Sequence, residues 1–244
     1  SKSVEFIGFD ACLMASLEVA SKLSENYSLG KYLIASEEIE PNWGWNYTVI
    51  LDTLFNQSYA SGELIGKNII DSYVFDSQRI SKNEQFGADR EITLSVIDLN
   101  KVSYLKENLD QLVRTVIDET IQNKSSMLKL LQSIDATEHY GQNGINSMGV
   151  LDIYDFITNI EYFFPVLKEK IDRVKNALEL AIKSNYAGES SRNANGLSIY
   201  LPLSWNEFEI KKNYVDNNLV LPTYGVDWLG LVLYISMILD PKID

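Results

Sequence analysis

The chain has 244 residues, of which 45% are hydrophobic and 23% are charged, a composition typical of globular proteins that excludes a disordered, collagen-like or low-complexity chain. Its 21 lysine and arginine residues against 34 aspartate and glutamate residues give a net charge of −13, and so acidic a surface argues against nucleic-acid binding. A single cysteine excludes an internal disulfide and a cysteine-rich metal site.

No stretch of the sequence is long enough to cross a bilayer. The longest apolar run, 228–239, has twelve residues, whereas a helical span needs about 20. The acidic surface either attracts basic peptides or metal cations, or it serves only solubility. The chain opens at Ser1 without a signal peptide, so we expect a segment upstream of Ser1 to be missing from this sequence.

The amino-terminal part of the chain predicts a βαβ unit. Residues 4–9 are short, apolar and β-branched or aromatic, as in a buried strand. A helical pattern begins at Leu13, and a second apolar strand follows at 32–36. Because strand, helix and strand follow one another this closely, we expect two parallel strands joined by a right-handed crossover.

The rest of the chain predicts more helices than strands. In chain order we expect helices at 47–55 and 63–75, a surface loop at 77–90, a strand with one half-buried face at 91–99, helices at 103–120 and 126–134, a loop at 135–149, a long helix starting at Pro165, a strand at 196–201 and an apolar helix at 226–239. Residues 1–100 therefore predict an α/β layer that bears the candidate site. Residues 101–244 predict a helix-rich remainder with a returning strand, and both belong to one folded unit.

Cys12 stands just past the first predicted strand and, by the sequence pattern, at the start of the following helix. Sites of open α/β sheets gather at the carboxyl edge of parallel strands. The N–H groups at a helix amino end stabilise a thiolate and the oxyanion of an acyl-transfer intermediate, so Cys12 is a candidate nucleophile. The alternative is a buried, inert cysteine, because free cysteine is among the most buried residue types.

Acidic residues accompany the cysteine at this edge. Asp10 is either a helix cap or the floor of a pocket for a basic side chain. The loop 37–40, which contains Glu38 and Glu40, leaves the neighbouring strand and is either merely solvated or part of the same pocket. His139, the one histidine of the sequence, stands in a polar loop, where a surface position is more common than a catalytic one.

Several segments resemble the clostripain-like cysteine peptidases. The most specific is Asp-Ala-Cys-Leu-Met at 10–14, within a strand and nucleophile segment at 6–20. The other similar segments lie at 32–41, 44–47, 94–99, 152–156 and 196–202. The resemblance therefore covers most of the chain.

The resemblance implies a caspase-like three-layer α/β/α sandwich with a mostly parallel central sheet and a helix-rich C-terminal part. It also implies an endopeptidase that cuts after basic residues, arginine especially, with lysine as the second candidate. Cys12 matches the family nucleophile and Asp10 the acid of the basic-residue pocket, to which Glu38 and Glu40 are expected to add negative charge. The chemistry requires no cofactor, although the resemblance also implies calcium dependence without pointing to ligands here.

The sequence departs from the family pattern in two places. The family's histidine, in a His-Gly motif, has no counterpart here; His139 does not match it. We expect that histidine upstream of Ser1 or on a light chain, so this chain resembles the heavy chain or C-terminal part of a secreted or cell-surface bacterial enzyme that cuts its own precursor. The loop 41–47 also differs from the family, which bears on fine specificity.

The sequence leaves three functions open. The first is a cysteine endopeptidase that is active only when a histidine-bearing segment completes its site. The second is a non-catalytic domain that recognises basic peptides on the same scaffold. The third is an inert structural fragment with Cys12 buried. We adopt the first as the hypothesis, and we expect the chain to fold poorly without a tightly held partner segment, because its apolar sheet edge would be left unpaired.

Overall fold

The computed structural model describes residues 4–25, 29–56, 59–84, 90–141, 149–201 and 226–239. In chain order its elements are β1 (Phe6–Gly8), α1 (Leu17–Ser24), β2 (Tyr32–Ala35), α2 (Tyr47–Asn56), α3 (Gly62–Glu84), β3 (Thr93–Asp98), α4 (Val102–Gln122), α5 (Lys124–Asp135), β4 (His139–Tyr140), β5 (Val150–Asp152), α6 (Ile153–Phe163), α7 (Lys168–Ala181), β6 (Ile182–Ala187), β7 (Ser198–Tyr200) and α8 (Val226–Leu239). They fall into two compact units, drawn from residues 1–102 with 179–198 and from residues 103–178 with 199–244.

The first unit contains a four-stranded sheet in the order β1-β2-β3-β6. β1 and β2 run parallel, with Phe6 opposite Tyr32 and Gly8 opposite Ile34, which confirms the predicted βαβ unit. β3 runs antiparallel to both β2 and β6. The sheet is therefore mixed, and the expectation of a mostly parallel sheet is wrong for these strands. Two helices, α2 and α3, connect β2 to β3. A connection of two helices brings the chain back to the end of the sheet at which β2 finished, so β3 runs antiparallel to β2.

α3 packs closely on one face of this sheet. A Cβ added at Gly66 would lie 2.6 Å from Val96 Cγ2 and 3.1 Å from Ile34 Cδ1, so only glycine allows the helix to approach this far. One row of buried residues along α3 recurs every four positions: Ile65, Ile69, Tyr73, Ser77 and Ser81. Because the last two are small and polar, the sequence pattern missed the end of the helix, and the surface loop predicted from residue 77 is wrong as far as Glu84.

β3 lies at the centre of the sheet with all six residues buried. The prediction of one half-buried face is wrong because both faces are covered, and the polar side chains of the strand have buried partners. Ser95 Oγ, for example, donates to Gly196 O at 2.7 Å. Its neighbour β6, with the polar run Lys183-Ser184-Asn185, was not predicted from the sequence.

The second unit contains a small sheet in the order β4-β5-β7. α8 is anchored there by Trp228, which is 1% exposed. Its Nε1 donates to Tyr200 O at 3.0 Å, and its ring meets Phe156 edge-on with centroids 6.1 Å apart. The strand predicted at 196–201 is present as β7, whereas the predicted loop 135–149 contains β4, and its residues 142–148 lie outside the described residues. None of the described helices combines the length and hydropathy of a membrane span. The domain division at residue 101 stays a prediction.

Candidate active site

After β1 the chain runs alongside the end of β2. Three backbone amides donate to carbonyls of that neighbouring segment: Phe9 N to Ile34 O at 2.9 Å, Leu13 N to Glu38 O at 3.3 Å and Ala15 N to Ser36 O at 2.8 Å. Leu13 adopts a φ of 60°, a left-handed conformation that costs a residue other than glycine roughly 1–2 kcal/mol. Strain of this kind gathers at functional sites; here it turns the chain directly after Cys12.

The prediction that Cys12 begins a helix is wrong. α1 starts at Leu17, and its N-cap is Ser16, whose hydroxyl accepts from Val19 N at 3.3 Å. The helix cannot begin earlier because Leu13 is left-handed and its amide is bound to the β2 segment rather than to a helical carbonyl. Cys12 therefore lies in a turn and not at the amino end of α1.

Cys12 instead lies against the acidic loop that follows β2. Glu40 N donates to Cys12 Sγ at 3.2 Å, and the cysteine is free and only partly buried. The two residues follow the carboxyl ends of the parallel strands β1 and β2, which is the edge where sites of α/β sheets form. The backbone thus fixes the partly buried sulfur at this edge of the sheet.

Asp10 lies in the same place and does not cap α1. Its Oδ2 accepts from Trp45 N at 3.2 Å and from the Tyr47 hydroxyl at 3.0 Å. Gly44, with a φ of +64°, allows this approach, since a Cβ there would lie 2.8 Å from Asp10 Oδ2. The loop 41–47 is therefore folded around the Asp10 carboxylate.

Glu40 is the second acid of this cluster. Its Oε1 accepts from Trp45 Nε1 at 3.3 Å. Burial, together with a hydrogen bond to Asp10 and the charge of Asp10, raises the pKa of Glu40 to about 8. At neutral pH Glu40 therefore carries a proton, which it can donate to Asp10.

Glu38 contributes mainly through its backbone. Its carbonyl accepts from Leu13 N, and its amide donates to Thr93 Oγ1 at 3.0 Å. Its carboxylate accepts from Ile39 N at 2.7 Å, within its own loop. Of the two loop glutamates predicted from the sequence, the structure brings the carboxyl group of Glu40 to Asp10, whereas Glu38 holds the loop beside Cys12.

Sequence reasoning missed three side chains that support the site. Trp45 binds both acids, Tyr47 binds Asp10, and Glu37 is 1% exposed with its Oε2 accepting from Gly196 N at 2.6 Å. The sequence did indicate a role for Trp45, because large aromatic side chains are seldom placed in a polar loop without a buried surface to cover. Nothing in the sequence distinguishes Glu37 from its acidic neighbours.

His139 lies in the second unit, on β4. Its Nε2 is 3.0 Å from Ile134 O, so one ring nitrogen is engaged with the end of α5. No group of three or more histidine, cysteine, aspartate or glutamate side chains within the described ranges is placed to hold a metal ion. The calcium dependence implied by the resemblance stays a prediction.

Comparison with known proteins decides the family. The sequence profile of the clostripain family, Peptidase_C11, matches residues 1–229. This chain belongs to the clostripain family. Clostripain of Hathewaya histolytica is 28% identical over 238 residues, an alignment that covers 82% of this chain and 43% of that protein. The chain therefore spans less than half the length of this curated relative.

Solved structures of the clostripain family share the fold. An inactive zymogen C11 protease from Parabacteroides distasonis superposes with a TM-score of 0.61 at 17% identity, covering 92% of this chain and 60% of that one. A secreted C11 cysteine protease from Bacteroides thetaiotaomicron, in complex with an irreversible peptide inhibitor, gives 0.57 at 19% identity, covering 88% and 58%. These likenesses confirm the predicted caspase-like α/β class.

Proposed function

We propose that this chain carries the nucleophile and the basic-residue pocket of a cysteine endopeptidase that cuts after arginine, with lysine as the second candidate. One observation carries the proposal: Cys12 Sγ and the carboxyl groups of Asp10 and Glu40 lie together where the parallel strands β1 and β2 end, since the Glu40 amide binds the sulfur and Trp45 donates hydrogen bonds to both carboxyl groups. A reactive atom and a binding charge are thus held by one loop.

The pocket chemistry favours a cation. Two carboxyl groups that share one proton do not favour the binding of an anion. A guanidinium or ammonium group, in contrast, stabilises both carboxylates once the proton has left. Trp45 and Tyr47 hold the two acids with three donated hydrogen bonds. A basic side chain of the substrate then supplies the positive charge that the pocket lacks.

The reaction assigned to Cys12 proceeds in two steps. The Cys12 thiolate attacks the carbonyl carbon of the scissile peptide bond, and the N–H of Cys12 is the proposed donor to the oxyanion. A histidine outside this sequence protonates the leaving amine as the C–N bond breaks. Water then hydrolyses the thioester and restores the thiol.

The histidine is proposed to lie on an upstream segment or light chain that packs against β1. Within the described sheet, β1 pairs only with β2, so its other edge offers N–H and C=O groups to a further strand. By the same resemblance we propose a secreted or cell-surface location, consistent with the secreted relative from Bacteroides thetaiotaomicron.

Labelling of Cys12 tests the proposal. The protein together with its histidine-bearing segment is treated with an arginine-directed covalent inhibitor, and its denatured mass is measured before and after. We expect one adduct that maps to Cys12, the single cysteine of this sequence. Cys12→Ala should remove both the adduct and the cleavage of arginine peptides while leaving thermal unfolding nearly unchanged.

The other functions give different results. Retained turnover in the Cys12→Ala variant contradicts the assignment of the nucleophile. If the wild-type protein binds arginine peptides but neither cleaves them nor forms an adduct, it is a binding domain. If Cys12 is unreactive and basic peptides do not bind at all, the chain has only a structural role.

A further inference from the structure

The helix α3 supports the loop 41–47 through two adjacent residues, Asp76 and Ser77. Trp43 Nε1 donates to Ser77 Oγ at 3.1 Å, and Asn46 Nδ2 donates to Asp76 Oδ2 at 2.6 Å. Tyr73 lies one helical turn before these two partners and so shares their face of the helix. It belongs to the same buried apolar cluster as Trp45, the residue that binds Asp10 and Glu40.

The hydroxyl group of Tyr73 is buried without a partner. The residue is 1% exposed, and its Oη forms no hydrogen bond with any residue that the structure describes. A buried tyrosine hydroxyl usually finds a partner, and leaving one unpaired costs roughly 1–3 kcal/mol. An orphaned polar atom of this kind requires an explanation.

The surroundings of this hydroxyl group are acidic. Burial raises the pKa of Tyr73, and the charges of Glu40, Asp10 and Cys12 raise it further, so the phenol stays neutral beside the proposed pocket. Glu40 Oε2 is likewise buried, with no donor among the described residues once Glu40 has lost its proton. Two polar atoms from two different elements, one on α3 and one on the loop after β2, thus lack partners, and Trp45 links them: its indole N–H binds Glu40 Oε1 and its ring belongs to the buried cluster that contains Tyr73.

The side chains of lysine and arginine differ in how many buried hydrogen-bond acceptors they can satisfy. An ammonium group has three donors on one atom, whereas a guanidinium group has five donors spread over a plane. Asp10 and Glu40 are sufficient acceptors for an ammonium group. A guanidinium group has donors left over, and a neutral phenol oxygen is able to accept one of them.

We propose that Tyr73 is a specificity-determining residue, whose hydroxyl oxygen accepts a hydrogen bond from the guanidinium group of a substrate arginine and thereby favours arginine over lysine. The inference rests on the proposed function, since it concerns the same pocket. Its physical basis is that the arginine complex satisfies a buried oxygen that the lysine complex leaves unpaired.

Tyr73→Phe tests the inference because it removes the hydroxyl group alone. The active protein, with its histidine-bearing segment, is assayed on two peptides that differ only in arginine or lysine at the cleaved position. We expect kcat/KM for the arginine peptide to fall about 10-fold or more, the size of one hydrogen bond that involves a charged group, and kcat/KM for the lysine peptide to change less than about 2-fold. The melting temperature should stay the same or rise, because an unpaired buried polar group has been removed.

Tyr186→Phe is the matched control. Tyr186 packs against the same apolar cluster from β6, and its substitution should leave the arginine-to-lysine ratio unchanged. An equal fall for both peptides in the Tyr73→Phe variant would assign Tyr73 a structural role, and an unchanged ratio would overturn the inference while the proposed function stands. A wild-type protein that cleaves neither peptide overturns both.

Discussion

The proton shared by Asp10 and Glu40 gives the proposed pocket a dependence on pH. The pKa of Glu40 is raised to about 8, first by burial and then by Asp10. Below that pH Glu40 carries its proton, and above it Glu40 adds a second negative charge to the pocket. A bound cation stabilises the second charge, so binding of arginine at neutral pH should release the proton of Glu40.

Calorimetry of an uncleaved arginine peptide binding to the Cys12→Ala variant measures this proton release. At pH 7 we expect release of up to one proton per peptide bound, seen as an observed enthalpy that changes with the ionisation enthalpy of the buffer, and an affinity that rises toward pH 9. Adding Glu40→Gln should abolish the proton release and weaken binding about 10-fold at pH 9, because one charge-assisted hydrogen bond is lost.

The pH dependence of the unfolding free energy of the same variants checks the direction of the pKa shift of Glu40. A carboxyl group whose pKa is raised in the folded protein contributes stability that is fully present below its ordinary pKa near 4.5 and is lost as the pH rises through about 8. The Glu40→Gln variant should lack that loss. Proton release that persists in this variant would show that another group titrates.

At the scale of residues, the sequence predicted the positions that follow directly from strand order. Cys12 and Asp10 follow β1, Glu40 follows β2, and parallel neighbouring strands bring their ends together. Tyr73 could not be predicted, because its place in the buried cluster with Trp45 depends on how α3 packs. The left-handed turn at Leu13 was equally hidden, since leucine gives no signal for that conformation.

At the scale of elements, the start of β3 holds the loop that carries Glu40. Thr93 Oγ1 accepts from Glu37 N and Glu38 N, both at 3.0 Å, and lies 2.9 Å from Ser36 Oγ. Thr93 is 2% exposed. One buried hydroxyl group therefore satisfies two consecutive amides at the point where the chain turns from β2 toward the cysteine.

Thr93→Val should lower the free energy of unfolding by about 2 kcal/mol, because the shape is kept while buried amides lose their acceptor. The midpoint of urea unfolding at constant m value measures the change. Thr115→Val is the control: the Thr115 hydroxyl donates to Gln111 O on the exposed side of α4, and its loss should matter by less than about 0.5 kcal/mol. Equal shifts in the two variants would show that the Thr93 contacts do not stabilise the loop.

The errors at the scale of elements have a common cause. Hydropathy patterns show which face of a segment is apolar, but they do not show what lies against a polar residue in the folded protein. Ser77 extends α3 because Trp43 binds it, and the polar β6 is a strand because β3 pairs with it. Both depend on partners distant in the sequence, whereas α4 and α5, with regular apolar stripes, were predicted nearly to their ends.

At the scale of the whole molecule, the excess of acidic residues suits the proposed substrates. The sequence has a net charge of −13, and a field of one sign attracts ligands of the opposite sign over distances longer than a contact. Salt screens such a field over about 10 Å at 0.1 M, while the partly buried Asp10–Glu40 pair is screened much less. Measurements at different ionic strengths therefore distinguish attraction of the substrate by the surface charge from its recognition by Asp10 and Glu40.

Two peptides with the same arginine at the cleaved position, one with neutral and one with basic flanking residues, make this separation measurable. Between about 20 mM and 500 mM salt we expect kcat/KM for the basic peptide to fall about 10-fold, and kcat/KM for the neutral peptide to fall about 2- to 3-fold, because only the first is drawn by the distant charges. The effect should appear in kcat/KM and leave kcat unchanged, since it acts before the chemical step. Equal salt dependence for the two peptides would mean that the acidic surface serves solubility alone and that selection of basic substrates occurs only at Asp10 and Glu40.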